Sequence, residues 1–190
     1  MTDAKSQPTL LPENRPDVKR VVVFGPESTG KTTLCKMLAE HFGTVWVPEF
    51  VRAYLDQKAA PCEPADIPLI VRGQWATEDE LARLARGVLF CDTDVTMTVV
   101  YAHLYYGECP EWIERLAVAR PYDLHLLTGV DVPWVGDPQR DMPHRRHEIF
   151  DRCRAALDTS GRRYVLVRGT WDERFRTARE AVEELIGTAR

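Results

Sequence analysis

The chain between Gly25 and Thr33 has the residue types and spacing of a loop that binds phosphate groups. It fits the pattern GxxxxGK[ST] and follows the short apolar run VVVF. Glycines let successive backbone N–H groups point inward, and the following helix adds the positive end of its dipole. Lys31 would bridge the β- and γ-phosphates of a nucleoside triphosphate, and the Thr32 hydroxyl would hold Mg²⁺. The predicted nucleotide contacts are Gly25, Glu27, Ser28, Thr29, Gly30, Lys31, Thr32 and Thr33.

Two carboxylates follow the apolar run VLFC, which predicts a third strand. Asp92 and Asp94 would lie at the carboxyl edge of a parallel sheet, where ligands gather. Asp92 can hold Mg²⁺, directly or through water, or bind a substrate hydroxyl group. Asp94 can also serve a substrate, or it can instead cap a helix that begins at Val95.

A further charged pair, Glu49 and Arg52, follows the predicted second strand. Glu49 can accept a proton from a substrate hydroxyl, while Arg52 can steady this carboxylate or the phosphoryl group in transfer. The alternative is an ion pair at a helix N-terminus that complements the helix dipole. The position of Glu49 at the end of a strand favours the functional interpretation.

A segment rich in Gly, Pro and Asp, residues 129–143, predicts a mobile flap, as part of a lid at about residues 129–147. Arg140 is the first candidate for a lid arginine, because a guanidinium group suits the charge of a phosphoryl group in transfer. The alternative is a solvated surface charge. Gly169 and Trp171 follow the predicted fifth strand, where Trp171 can stack on the nucleotide base or anchor the last helix.

Short β-branched runs alternate with longer helical segments, which predicts parallel βαβ units. The predicted strands are residues 20–24, 44–47, 88–91, 122–127 and 163–167. The predicted helices are about residues 31–41 and 68–86, helical material to about 119, then 144–158 and 172 onward. This order predicts an α/β fold, a three-layer sandwich around a five-stranded parallel sheet. We expect residues 1–17 to form a flexible leader and residues 18–190 to form one domain.

Length and composition limit the class of protein. At 190 residues, with 44% hydrophobic and 28% charged residues, the chain matches an ordinary soluble protein. Neither a transmembrane run nor a secretory signal is recognisable, so we expect a cytoplasmic protein without membrane insertion. A formal net charge of -4 argues against broad nucleic-acid binding and favours a small phosphorylated ligand.

The chain resembles the ribosylnicotinamide kinase domain of the NadR proteins, a branch of the P-loop kinases. The resemblance runs from about residue 19 to the end and rests on GPESTGKTTL, VPEFVRAYL, FCDTD, VPWVGDPQR and WDERF, in this order. It implies a P-loop kinase-type sandwich that uses ATP and Mg²⁺. The implied reaction is phosphorylation of the 5′-hydroxyl of nicotinamide riboside, which gives the mononucleotide used in NAD synthesis.

The resemblance also implies roles for particular residues. Lys31 and Thr32 would serve phosphates and metal, Glu49 and Asp92 would lie near the substrate hydroxyl, and Arg140 would belong to the lid. Substrate stacking would fall to Trp134 or Tyr54. The adenylyltransferase and DNA-binding parts of the longer NadR proteins do not precede this segment, so we expect a stand-alone kinase or one that serves a transported vitamin.

Two other classes of function stay open. One is a kinase for another nucleoside or for a vitamin such as thiamine, since one loop framework serves many acceptors. The other is a non-catalytic module that senses NTP or NAD and binds a partner such as a transporter or regulator. A GTPase switch is disfavoured because the chain lacks DxxG after Asp92 and an NKxD stretch.

We predict that Lys31→Ala abolishes turnover while the fold stays intact, because the lysine would hold the phosphates in transfer. Turnover and nucleotide affinity measured on the purified variant test this. Turnover comparable to the parent protein, with unchanged nucleotide affinity, would contradict it.

Overall fold

All five strands are parallel and lie in one sheet in the computed structural model, which describes residues 17–187. They are β1 (Lys19–Phe24), β2 (Trp46–Val47), β3 (Val88–Asp92), β4 (Leu124–Thr128) and β5 (Tyr164–Val167). Their order across the sheet is β2-β3-β1-β4-β5. The predicted α/β fold with a five-stranded parallel sheet is confirmed. The predicted leader, residues 1–17, lies outside the described residues except for Asp17 and stays a prediction.

Helices connect the strands and cover both faces of the sheet. Within residues 17–187 they are α1 (Lys31–His41), α2 (Phe50–Lys58), α3 (Ile67–Ala82), α4 (Val95–Tyr106), α5 (Glu111–Ala119), α6 (Arg146–Thr159) and α7 (Trp171–Gly187). Two short 3-10 helices, Pro64–Asp66 and Pro143–Arg145, precede α3 and α6. In this part of the chain no helix is both long enough and apolar enough to span a membrane.

Alternate residues of β1 enter two different cores. Val21 and Val23 pack with α1 and α7, whereas Val22 and Phe24 pack with residues of α4 and α6. This follows from the geometry of a strand, whose successive side chains point to opposite faces. A parallel sheet covered on both faces requires apolar residues at every position, which explains the continuous run VVVF.

The second strand begins later and the third helix ends earlier than the sequence predicts. Thr44, the predicted start of β2, donates its hydroxyl to Val88 O at 2.7 Å and accepts from Arg86 N at 3.0 Å. At this position the Thr44 side chain, rather than backbone hydrogen bonds between strands, connects the chain to the start of β3. The strand β2 therefore begins at Trp46. Helix α3 ends at Ala82 rather than at residue 86, because the backbone then tightens into turns in which Arg83 N donates to Glu80 O and Leu84 N donates to Leu81 O.

The strand order brings the candidate site residues to one edge of the sheet. Asp92 at the end of β3 lies opposite Val23 of β1, and Phe24 lies opposite Leu127 of β4. Parallel strands share the same carboxyl edge, so the segments that follow β1, β3 and β4 emerge together. The phosphate-binding loop, the two aspartates and residues 129–143 are therefore neighbours.

Candidate active site

The phosphate-binding loop has backbone conformations that its glycines make accessible. Gly30 has a φ of 82°, and Gly25 has a φ of 141°. A Cβ atom at Gly25 would overlap the side chain of Thr128, so the loop packs directly on the end of β4. The hydroxyl of Thr29 lies 2.7 Å from that of Thr128 and donates to Pro26 O at 2.8 Å. The loop is thus held in shape by its own residues and by the strand beside it.

Lys31 and Thr32 begin α1 and turn toward different partners. Lys31 Nζ donates to Pro26 O at 2.9 Å, which curls the side chain back over the loop. Thr32 Oγ1 donates to Asp92 Oδ2 at 2.5 Å. Thr33, the last predicted nucleotide contact, is exposed on the first turn of the helix.

Asp92 has the surroundings expected of a group that binds a cation. Its exposed fraction is 1%, and burial, followed by the negative charge of Glu49, raises its pKa to about 6. Its second oxygen, Oδ1, is buried and lacks a hydrogen-bond partner among the described residues. Thr32 Oγ1 and this oxygen fit Mg²⁺, which is usually held by one or two protein groups together with phosphates and water. Consistently, residues 17–187 contain no cluster of three or more His, Cys, Asp or Glu that could form an all-protein metal cage.

Asp94 adopts the alternative position, as a helix cap. Its Oδ1 accepts from Met97 N at 3.3 Å, and its Oδ2 lies within hydrogen-bond distance of Thr96 and His125. Burial tends to raise the pKa of Asp94, but the hydrogen bond and the charge of His125 outweigh it, so the pKa is lowered. The side chain has an exposed fraction of 0%. Asp94 therefore caps α4, and because it also lines the cavity described below, its contact with a substrate stays a prediction.

Glu49 immediately precedes α2 and is paired with Arg52. Arg52 Nε donates to Glu49 Oε2 at 3.0 Å, and its Nη1 donates to Asp137 Oδ2 at 3.2 Å. Burial tends to lower the pKa of Arg52, but the two carboxylates outweigh it and raise the pKa overall. The ion pair between Glu49 and Arg52 at the start of α2, which was the alternative to a functional role, is therefore present. Both residues also line the cavity described below.

The flap, residues 129–143, is docked on the phosphate-binding loop. Ser28 Oγ accepts from Val135 N at 2.7 Å. Arg146 donates from Nη2 to Ser28 O and from Nη1 to Val132 O, both at 3.0 Å. On its other side, the flap contacts α2 through Gln139, whose Nε2 donates to Asp56 Oδ1 at 2.7 Å.

Arg140 is turned toward the flap itself rather than toward the phosphate-binding loop. Its Nη1 donates to Val135 O at 2.6 Å, and its Nε lies 2.8 Å from Asp137 Oδ2. Arg146, for which no sequence signal was strong, contacts the loop at Ser28 O instead. The role of Arg140 as a lid arginine therefore stays a prediction.

A cavity of about 700 Å³ opens beside the loop. This size suits a small organic ligand. Its charged lining comes from Glu27 and Lys31 of the loop, Glu49 and Arg52, Asp94 after β3, and Asp141 of the flap. Its apolar lining includes three tyrosines of α4, namely Tyr101, Tyr105 and Tyr106.

Trp134 and Tyr54, the two aromatic residues expected to stack on a substrate, have other contacts in this structure, and their stacking role stays a prediction. Trp134 is stacked with the guanidinium of Arg146 at 5.7 Å, and the hydroxyl of Tyr54 donates to Asp66 Oδ1 at 2.7 Å. Neither side chain lines the cavity. The structure places Tyr101 and Tyr105 there instead, one helical turn apart on α4. The spacing of four residues was the available signal, although it does not show which face of the helix borders the cavity.

Trp171 and Arg174, at the start of α7, support the loop from the other side. The ring of Trp171 lies where a Cβ atom at Gly30 would be, and 42% of the residue is exposed. Trp171 therefore covers the loop instead of anchoring α7 in the core, and its contact with a nucleotide base stays a prediction. Arg174 is 1% exposed and donates to Thr29 O at 3.1 Å. It also donates to Gly169 O, so it joins the two loops; its only sequence signal was the motif WDERF.

These features define a P-loop protein with the kinase arrangement of loop, sheet and flap. The sequence matches the AAA domain family over residues 20–174, and the chain belongs to this family. It is 29% identical over 180 residues to the trifunctional NAD biosynthesis/regulator protein NadR of Escherichia coli, which covers 91% of this chain and 44% of that protein. The NadR of Salmonella typhimurium is also 29% identical, over 177 residues, with coverages of 90% and 43%. The chain thus spans less than half the length of these curated relatives.

Solved structures show the same relationship. A NadR protein in complex with NAD and AMP-PNP superimposes with a TM-score of 0.76 at 25% identity, over 90% of this chain and 50% of that chain. Thymidylate kinase from Candida albicans shares the fold, with a TM-score of 0.63 at 13% identity over 91% of this chain and 92% of that one. The resemblance to the NadR family that the motifs indicated is confirmed, as is the P-loop kinase-type fold.

Because Asp137 of the flap forms ion pairs with Arg52 and Arg140, we predict that it helps to hold the flap in place. Asp137→Asn should weaken the ion pairs to Arg52 and Arg140, each worth about 0.5–1 kcal/mol at a partly exposed site. Amide exchange of residues 129–143 should then accelerate about fivefold, as measured by hydrogen–deuterium exchange with mass spectrometry. Asp151→Asn, which changes an exposed ion pair on α6, is the matched control. Equal exchange in both variants and the parent protein would show that Asp137 does not hold the flap.

Proposed function

We propose that this chain is an ATP-dependent kinase that phosphorylates the 5′-hydroxyl of nicotinamide riboside to nicotinamide mononucleotide, a reaction of NAD salvage. The observation that carries the proposal is the continuity of the phosphate-binding loop with the cavity, since Glu27 and Lys31 belong to both. A phosphate donor and a small acceptor bound there would be neighbours, as transfer requires. The likeness to NadR proteins, one of them solved in complex with NR, supports the same acceptor.

The chemistry of the cavity suits a cationic nucleoside. Burial, and then the negative charge of Asp141, raises the pKa of Glu27 to about 7, and its Oε2 is buried without a hydrogen-bond partner within residues 17–187. Arg52 is already paired with two carboxylates. A bound cation would favour the ionised form of Glu27 and would lie beside tyrosine rings, and both interactions suit a pyridinium group.

Each polar group has a role in this reaction. Lys31 holds the transferring phosphates, and Thr32 and Asp92 hold Mg²⁺, which supplies charge neutralisation to the phosphates when bound. Glu49 accepts the proton of the acceptor hydroxyl, while Arg52 keeps this carboxylate in place. Arg140 would reach the site from the flap after leaving its contacts with Val135 O and Asp137. Glu49 lies near enough to Asp92 for its charge to contribute to the raised pKa of Asp92, so the proposed base and the proposed metal ligand are neighbours beside the loop.

A coupled phosphorylation assay with a panel of acceptors tests the proposal. We expect turnover of nicotinamide riboside at least tenfold above that of uncharged nucleosides, including the neutral reduced form of nicotinamide riboside as the matched ligand. Lys31→Ala provides the inactive control. A preference for thiamine or another nucleoside would show that nicotinamide riboside is not the acceptor. Binding of nucleotide without turnover of any acceptor would favour a sensing module.

Two isosteric variants test the separate roles of Glu49 as the base and Asp92 as a metal ligand. Glu49→Gln should lower kcat by roughly 10²–10⁴ with little change in acceptor affinity, because shape is kept while proton acceptance is lost. Asp92→Asn should also alter the dependence of the rate on Mg²⁺. Steady-state kinetics at several Mg²⁺ concentrations distinguish them. Near-normal kcat in Glu49→Gln, with the rate loss confined to Asp92→Asn, would reverse the assignment.

A further inference from the structure

Gln74 of α3 contacts the backbone that carries Glu49. Its Oε1 accepts a hydrogen bond from Phe50 N at 2.9 Å. Phe50 is the first residue of α2, so its N–H belongs to the group that finds no acceptor within the helix. Gln74 is 3% exposed and borders the cavity. The residue directly after the candidate base is therefore anchored by a buried side chain.

The orientation of the Gln74 amide is fixed from both ends. Phe50 N–H can only donate, so the amide oxygen must face it. The amide nitrogen donates to Glu78 Oε1 at 3.3 Å. Glu78 is an acceptor here, because its carboxylate also receives Arg120 Nε at 2.9 Å and the hydroxyl of Tyr122 at 3.0 Å.

The same network reaches the strand that leads into the phosphate-binding loop. Arg20 of β1 lies with its Nη1 3.5 Å from Glu78 Oε2, and both side chains are buried. The chain of contacts thus runs from β1 through Glu78 and Gln74 to the first residue of α2. This relay locates Glu49 relative to β1, the strand that leads into the loop containing Lys31.

Packing of the neighbouring residue makes the anchor stiff. A Cβ atom at Gly73 would overlap the ring of Phe50, so α2 lies directly against α3 at this point. The ring and the N–H of Phe50 are therefore held by two successive residues of α3. A small shift of Phe50 would move Glu49 with it.

From these contacts we infer that Gln74 is a positioning residue for phosphoryl transfer, aiming Glu49 at the acceptor hydroxyl through the Phe50 N–H. The inference rests on the proposed role of Glu49 as the base. Gln74 does not act on the reacting atoms. A misplacement of about 1 Å can cost a rate factor on the order of 10².

A double-mutant cycle on the full chain tests the inference. Gln74→Met keeps the length of the side chain and removes both hydrogen bonds, and it should lower kcat about 10- to 100-fold with the KM for ATP unchanged. In the Glu49→Gln background the same change should lower kcat less than about twofold, because no base remains to be aimed. Thr77→Val, which removes a hydroxyl bonded to Gly73 O on the same helix, is the control and should leave kcat within about twofold of the parent.

Gln74→Glu supplies a second readout if Gln74→Met fails to fold. A protonated carboxyl group at this position would accept from Phe50 N and donate to Glu78, as the amide does. We expect its kcat relative to the parent protein to fall as the pH rises, since ionisation removes the donor and places two negative charges together. The same pH dependence should be absent in the Glu49→Gln background.

Two results would overturn the inference. An equal fold loss from Gln74→Met with and without Glu49 would show a purely structural role, as would a flat relative pH profile for Gln74→Glu. If the single variant Glu49→Gln has a kcat near that of the parent protein, Glu49 is not the base. That result would contradict the proposed role of Glu49, and it is distinguished from a failure of the inference about Gln74 because it needs only this one variant.

Discussion

The site depends on the adjacency of β1 and β3 in a parallel sheet. Their carboxyl ends lie side by side, so the loop after β1 and the aspartate that ends β3 meet, and Thr32 and Asp92 come within 2.5 Å. Neighbouring strands are about 5 Å apart, and one additional strand between them would break this contact. The strand order therefore sets the relative positions of the phosphate-binding loop and Asp92 independently of the flap.

Negative charge is concentrated where burial makes it costly. The pKa values of Asp92 and Glu27 are raised to about 6 and about 7, so the folded protein holds these protons more tightly than the unfolded chain does. Ionisation of the two groups therefore lowers the stability of the fold as the pH rises from the ordinary carboxyl range through these values. A core selected for stability alone would not contain such groups. Their presence beside a cavity is the arrangement expected of a site whose ligands bring positive charge.

The sequence predicts the local elements well and the shape of the cavity beside the loop poorly. Helix α1 begins at Lys31 and ends at His41 as predicted, because the loop pattern and the apolar spacing are signals within a few residues of one another. Tyr101 of α4 was not predicted to line the cavity. Which face of α4 borders the cavity depends on how this helix packs against α3 and α6, and that packing cannot be predicted from the local sequence. Gln74 was missed for the same reason: Glu78 is four residues further along the same helix, but Phe50 reaches Gln74 only when α2 packs on α3.

The buried side chain of Arg174 shows why loops that turn into the interior of this fold need polar side chains beside them. Apolar packing holds strands and helices, whose backbone groups are already paired, but a loop that turns inward carries carbonyl groups that need donors. The guanidinium of Arg174 donates to the carbonyl oxygens of Thr29, Gly129 and Gly169, which belong to three separate loops. A lysine has a single nitrogen and could not span these three directions in one plane. The side chain thus joins the phosphate-binding loop to the segments after β4 and β5, and its charge is balanced by Asp131 at the start of the flap.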